Sequence, residues 1–190
     1  MQLTEEVMQK IEDEKPKIVN LLSDLIEFKS ITGSSDEKKA AQYIKKTMQD
    51  FGYDEVFTDS IGNVIGKIGD GPKTILYDAH LDVVDVTKED WDTDPFKPVI
   101  KDDYIIGRGA MDDKGPTVAA YIAMKMIKDH GIKLNKKVRL ILGCDEESGM
   151  RGIERYLEKE TMPDIGFAPD AEFPLIYAEK GIYAYTYQGR

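Results

Sequence analysis

Short aliphatic and β-branched runs alternate along this chain with segments whose apolar residues recur every three or four positions. That alternation constrains the fold most, because strands separated by helices tend to return in the same direction and stack into one sheet with helices against it. The β-type runs are DEVFTD (54–59), NVIGKIG (63–69), KTILYDAH (73–80), a short one in DDYIIGRGA (102–110), KKVRLILGC (136–144), DIGFAPD (164–170) and LIYAEKGI (175–182). Gly69-Asp70-Gly71-Pro72 is a turn between the second and third.

The helical spacing starts at Thr4–Phe28, where Val7 and Ile11 lead into a stripe of Ile18, Leu21, Leu22, Leu25 and Ile26. Pro16 sits within that stretch, which predicts a kink or two successive helices. Ser34 followed by Glu37 is a capping-box signature for a second helix. Its expected inward residues are Ala41, Ile44, Met48 and Phe51, with Gly52 as its stop. Pro116–His130 is apolar on most faces and predicts a buried helix ended by Gly131, and a further helix is expected over Gly149–Glu160. The fold class is therefore α/β, a layered helix-sheet-helix domain with a mixed, largely parallel twisted sheet.

The bulk composition allows such a domain. Hydrophobic residues make up 41% of the chain and charged residues 33%, enough for a soluble core-forming protein. The net charge of -10 argues against nucleic acid as a partner. No apolar stretch is long enough for a membrane span, and the polar, acidic start MQLTEEVMQKIEDEK reads against a secretory leader. Cys144 is the single cysteine, so a reducing cytoplasm is the expected location.

The groups capable of chemistry follow the strands. KTILYDAH runs into His80 and Asp82, the segment after DDYIIGRGA carries Asp112 and Asp113, VRLILGC runs into Asp145, Glu146 and Glu147, and DIGFAP runs into Asp170. In α/β sheets, ligands collect at the carboxyl ends of strands. Each piece alone has an ordinary explanation: an acidic turn in an acidic protein is usually solvated, and acids before a helix complement its dipole. Their joint occurrence at successive strand ends is harder to explain that way. Zinc takes imidazole and carboxylate ligands in sites that leave a position open. Two metals about 3.5–4 Å apart need a bridging carboxylate, and a free carboxylate can then serve as general base. Asp82, two residues after His80, lies on the same side of an extended strand and can orient the ring or a neighbouring group.

The set H-L-D (80–82), W-D-T-D-P-F-K-P (91–98), G-R-G-A-M-D-D-K-G-P (107–116), D-E-E-S-G (145–149) and P-D-A-E-F-P (169–174) resembles the co-catalytic zinc peptidases, a family of aminoacylases, carboxypeptidases, desuccinylases and dipeptidases. The motifs look most like those of the bacterial broad-specificity (Xaa-His) dipeptidases. The resemblance implies two divalent metals, zinc with cobalt or manganese as alternatives. His80 and Asp170 would be ligands of one metal, Glu147 of the other and Asp112 the bridge, with the Asp112–Asp113 peptide bond cis. Glu146 would be the general base and acid, and Asp82 the residue that orients both it and the metal ligand. The implied reaction is peptide-bond cleavage by a metal-held hydroxide, with a small peptide as substrate.

The resemblance further implies that residues 1–180 are the N-terminal part of the catalytic domain and 181–190 the start of a connection to a lid domain. One more ligand, a late histidine, is expected beyond this sequence. His130, in Lys-Asp-His-Gly, reads instead as a helix C-terminal residue. On these grounds the stretch itself is expected to be inactive or nearly so, with self-association through an unfinished sheet edge. Two other functions stay open: an N-acyl-amino-acid amidase of the same family, and a non-catalytic binding or regulatory relative. Cys144 reads as a small core residue.

Overall fold

The computed structural model describes residues 2–171, 175–178, 180–181 and 185–188. Helix α1 spans Gln2–Glu27 as one element with Pro16 inside it, so the expected division into two helices does not occur. Pro16 withholds one backbone hydrogen bond. Packing compensates: Leu21 and Leu25 are buried, and Val7, Ile11, Ile18 and Leu22 lie against the same core. Helix α2 (Ser35–Asp50) begins at Ser34, whose hydroxyl accepts the Glu37 N–H at 3.2 Å. Ala40, Ile44 and Met48 are its buried hydrophobic residues, with Ala41 and Phe51 only partly covered. Gly52 follows at φ 75°, a left-handed conformation that glycine adopts freely.

The central sheet has the order β1-β2-β6-β3-β7, built from β1 (Glu55–Thr58), β2 (Val64–Ile68), β3 (Thr74–His80), β6 (Lys137–Gly143) and β7 (Ile165–Phe167). β6 pairs antiparallel with β2 and parallel with β3, which pairs parallel with β7. The sheet is thus mixed, with its parallel pairing in the β6-β3-β7 half. Alternation along β6 sends Val138, Leu140 and Leu142 into the larger core with α1, α2 and helix α3 (Lys114–Asp129). Ile141 points the other way, into a smaller core with Ile65, Leu76 and Tyr156 of helix α5 (Arg151–Lys159). Helices therefore cover both faces, the layering expected from the sequence.

Some local expectations change. The short strand expected within 102–110 forms as β5 (Tyr104–Ile106), but it pairs with an unforeseen strand β4 (Val99–Lys101) in a hairpin separate from the main sheet. Asp102 and Asp103 turn it with φ of 49° and 65°, a geometry that short polar residues tolerate. The helix expected over 149–160 begins at Arg151, after the single turn α4 (Glu146–Gly149) and a left-handed Met150. The described residues of 175–182 form no strand, and Glu179 and Ile182 lie outside the described residues. Ile165 and Phe167 of the edge strand β7 are exposed. No helix among the described residues is long and apolar enough to cross a membrane.

Candidate metal centre

Because β6, β3 and β7 are parallel neighbours, their carboxyl ends share one edge of the sheet. His80 closes β3 beside Gly143, and Asp145, Glu146 and Glu147 follow at the end of β6. Asp170 comes three residues after β7. Asp112 arrives differently. It precedes α3 and follows the detached β4–β5 hairpin, so it reaches the centre from a loop and not from a strand of the main sheet. The Asp112–Asp113 peptide bond is cis.

These residues converge on the Nε2 atom of His80. Asp112 Oδ1 lies 3.1 Å from it, Asp170 Oδ2 3.6 Å and Glu146 Oε2 3.8 Å. Ligand atoms of His80, Asp112 and Glu147 all lie within 4.8 Å of one another. The Nδ1 atom on the other side of the ring is 3.0 Å from the Asp82 carbonyl oxygen. A carbonyl can only accept, so Nδ1 carries the proton and Nε2 faces the acids.

Asp82 is wholly buried. Its carboxylate stands 3.5 Å from His80 Nδ1, farther than its own carbonyl does. The carboxylate oxygens instead accept the backbone N–H groups of Glu146 and Glu147, each at 3.2 Å, and the Thr32 hydroxyl at 2.7 Å.

Other supports were not legible in the sequence. Asp113 accepts the His80 N–H at 3.0 Å, and Thr117 donates its hydroxyl to the His80 carbonyl. Lys114 is fully buried and donates to the Leu25 and Phe28 carbonyls, tying the Asp112 loop to the end of α1. Only the D-D-K-G-P run hinted at Asp113 and Lys114; an isolated Thr32 or Thr117 carries no signal.

The electrostatics describe a centre rich in negative charge. Burial raises the carboxyls of Glu146, Glu147 and Asp170 above the usual range; His80 opposes this, and neighbouring carboxylates add to it. Burial pushes Asp113 up to about 7. His80 is pushed up to about 10: burial alone would lower it, but Asp82, Asp113 and Glu146 outweigh burial. Asp82 lies below the usual range, because His80 and Thr32 overcome its burial. Carboxylates crowded around one imidazole nitrogen suit a bound cation. The donor set of nitrogen and oxygen fits a divalent metal of the zinc type. His130 stands apart from this cluster, capping α3 with Nδ1 2.9 Å from the Met126 carbonyl.

Comparison with known proteins agrees with this architecture. Residues 76–187, a span that includes His80 through Asp170, match the profile described as Peptidase family M20/M25/M40. A "Putative dipeptidase" of Staphylococcus haemolyticus is 39% identical over 186 residues, covering 92% of this chain and 39% of that protein. A "Putative dipeptidase" of Staphylococcus aureus (strain USA300) is 38% identical over the same shares. The chain thus spans about two fifths of the length of these curated relatives, 39%. Among solved structures, human carnosine dipeptidase 1 superposes with a TM-score of 0.81 at 23% identity, over 90% of this chain and 42% of that one, a likeness of fold alone. An M20 family metallo-carboxypeptidase from Sulfolobus solfataricus superposes with a TM-score of 0.73 at 29% identity, over 81% of this chain and 37% of that one. The chain belongs to peptidase family M20/M25/M40.

Proposed function

With that membership as the premise, we propose that the protein hydrolyses dipeptides with the help of two divalent metal ions, zinc in the first instance. The observation that carries this reading is the convergence of Asp112, Asp170 and Glu146 oxygens on His80 Nε2 within 3.8 Å, with Glu147 in the same cluster. His80, Asp112, Glu147 and Asp170 would hold the metals. Bound there, the metals would polarise the scissile carbonyl and acidify a water.

The chain's own residues supply the proton path. Glu146 takes the proton from the attacking water on its carboxylate and delivers it to the leaving amine. Its carboxyl, raised by burial, is suited to that exchange. Asp82 fixes the backbone from which Glu146 and Glu147 project. We place the reaction in the cytoplasm, in keeping with the free thiol of Cys144. His80 is the one imidazole in this cluster, so the activity of these residues by themselves should be low.

The test has two arms. Zinc titration should show specific binding that Asp112→Ala removes; absence of specific binding sinks the metal centre. Amino-acid release should then be measured from dipeptides and from N-acyl amino acids. Even a low rate on dipeptides supports the proposal if Glu146→Ala abolishes it. Release only from N-acyl amino acids would make the protein an amidase. Zinc binding with no release from either class would make these residues, taken by themselves, a metal-binding domain without activity.

A further inference from the structure

The segment carrying Glu146 and Glu147 is held by more than Asp82. Four consecutive backbone N–H groups, from Cys144 to Glu147, each donate to a side-chain oxygen. Cys144 donates to Asn63 Oδ1 at 3.1 Å, Asp145 to Glu37 Oε1 at 3.3 Å, and Glu146 and Glu147 to the two oxygens of Asp82. The three acceptors come from different parts of the fold: the first turn of α2, the residue before β2, and the extension of β3. None is free to swing, with Asn63 and Asp82 wholly buried and Glu37 exposed by only 8%.

Glu37 and Asn63 are themselves anchored. The second oxygen of Glu37 accepts the Gly33 N–H at 2.7 Å. Asn63 Nδ2 donates to Asp59 Oδ2 at 2.8 Å and to the Gly152 carbonyl at 3.0 Å, so its oxygen is oriented toward Cys144. Each acceptor thus faces the segment with a fixed oxygen. The segment needs such fixing, because Asp145 and Met150, which flank the single turn α4, both have left-handed backbones, with φ of 66° and 54°.

We infer that Glu37 and Asn63 are positioning residues for Glu146 and Glu147, holding the two backbone amides immediately before that pair as Asp82 holds the pair itself. The inference rests on the metal-centre function proposed above. Groups one step behind a metal ligand set its orientation, and losing them typically costs about 10- to 100-fold in metal affinity or activity.

The test is zinc titration against a competing chelator, with a melting temperature for each variant. Glu37→Ala and Asn63→Ala should each weaken zinc binding by about 10- to 100-fold. Glu37→Gln, which keeps one acceptor oxygen for the Asp145 amide, should recover most of that loss. Ser34→Ala removes the α2 cap without touching the Glu37 carboxylate. It should lower the melting temperature and leave zinc affinity within about twofold, a change too small to count as loss of a supporting group. The two alanine variants lie on different elements, so failure of one to fold leaves the other to decide. Wild-type zinc affinity in both variants overturns this inference alone, as does an equal loss in Ser34→Ala at a matched drop in melting temperature. A wild-type protein that binds no zinc overturns the metal centre and this inference together.

Discussion

Asp82 Oδ1 accepts the backbone N–H of Glu146 at 3.2 Å. One side chain at the end of β3 thereby reaches across to the end of β6, while its own carbonyl holds the ring of His80. The carboxylate serves the Glu146–Glu147 backbone more directly than it serves the imidazole, which favours the second of the two roles that H-x-D spacing allows, the steadying of a neighbouring group. Asp82→Asn should therefore be costly despite its matching shape. Its two oxygens have three donors to satisfy, from Glu146, Glu147 and Thr32. An amide can accept at only one of those atoms. The expected loss is about 1–3 kcal/mol of stability, from buried N–H or O–H groups left unpaired. Urea unfolding measures it, and an unchanged midpoint would contradict the geometry.

Pro16 makes a separate prediction about stability. It lies exposed in the middle of α1, where its ring nitrogen has no hydrogen to give the Glu12 carbonyl. Interior proline costs a helix about 3 kcal/mol relative to alanine. Since α1 is continuous already, Pro16→Ala should restore the missing bond without rearranging the core. The expected gain is about 1–3 kcal/mol. It should appear as a higher urea midpoint at constant slope.

How much the sequence discloses differs by element. β6 is legible because Val138 and the aliphatic run Leu140–Leu142, interrupted only by Arg139 and closed by Gly143, suit a short strand covered on both faces. α2 is legible because Ser34 and Glu37 mark its start. The same Glu37 shows where legibility stops: the signature sends its carboxylate back to the cap residue's own amide, yet it binds the amides of Gly33 and Asp145. The partner at Asp145 is 108 residues away, and no local pattern encodes such a contact. Sheet order is hidden for a similar reason. β2 pairs with β6 across a long stretch of chain, and neither run names its neighbour. Asp112 was legible as a chemical group but not in its route, because the Asp102-Asp103 turn folds the preceding run into its own hairpin. Proline is equivocal by contrast: of the two outcomes that Pro16 allows, the division into two helices does not occur, and α1 runs on through it.

The thiol of Cys144 should be unusually inert. Burial pushes it up to about 12, and the charges of Glu37, Asp59, Asp82 and Asp145 add to the shift. The thiolate is the reactive form, so at pH 8 only about one thiol in ten thousand would be ionised. Iodoacetamide should label the folded protein on the order of 10³-fold more slowly than free cysteine at that pH. The rate should rise about tenfold per pH unit until the thiol titrates. Glu37→Gln removes one of the opposing charges and should speed labelling. Rapid labelling of the folded protein at pH 8 would mean that Cys144 is not enclosed as described.

Gly152 links stability to the centre most directly. A Cβ built there would lie 2.3 Å from the Cys144 carbonyl oxygen and 2.7 Å from Asn63 Oδ1. Neither atom can retreat cheaply, because one is backbone at the end of β6 and the other holds the Cys144 amide. Gly152→Ala must then push α5 away from the strand end. Ordinarily alanine strengthens a helix over glycine by about 1 kcal/mol, but here overpacking should prevail at a cost of about 1–3 kcal/mol. Thermal unfolding tests the sign. A displaced strand end also moves Glu147, so zinc affinity should fall along with the melting temperature. A stabilised Gly152→Ala with unaltered zinc affinity would show that α5 and the Cys144 carbonyl do not meet as closely as 2.3 Å implies.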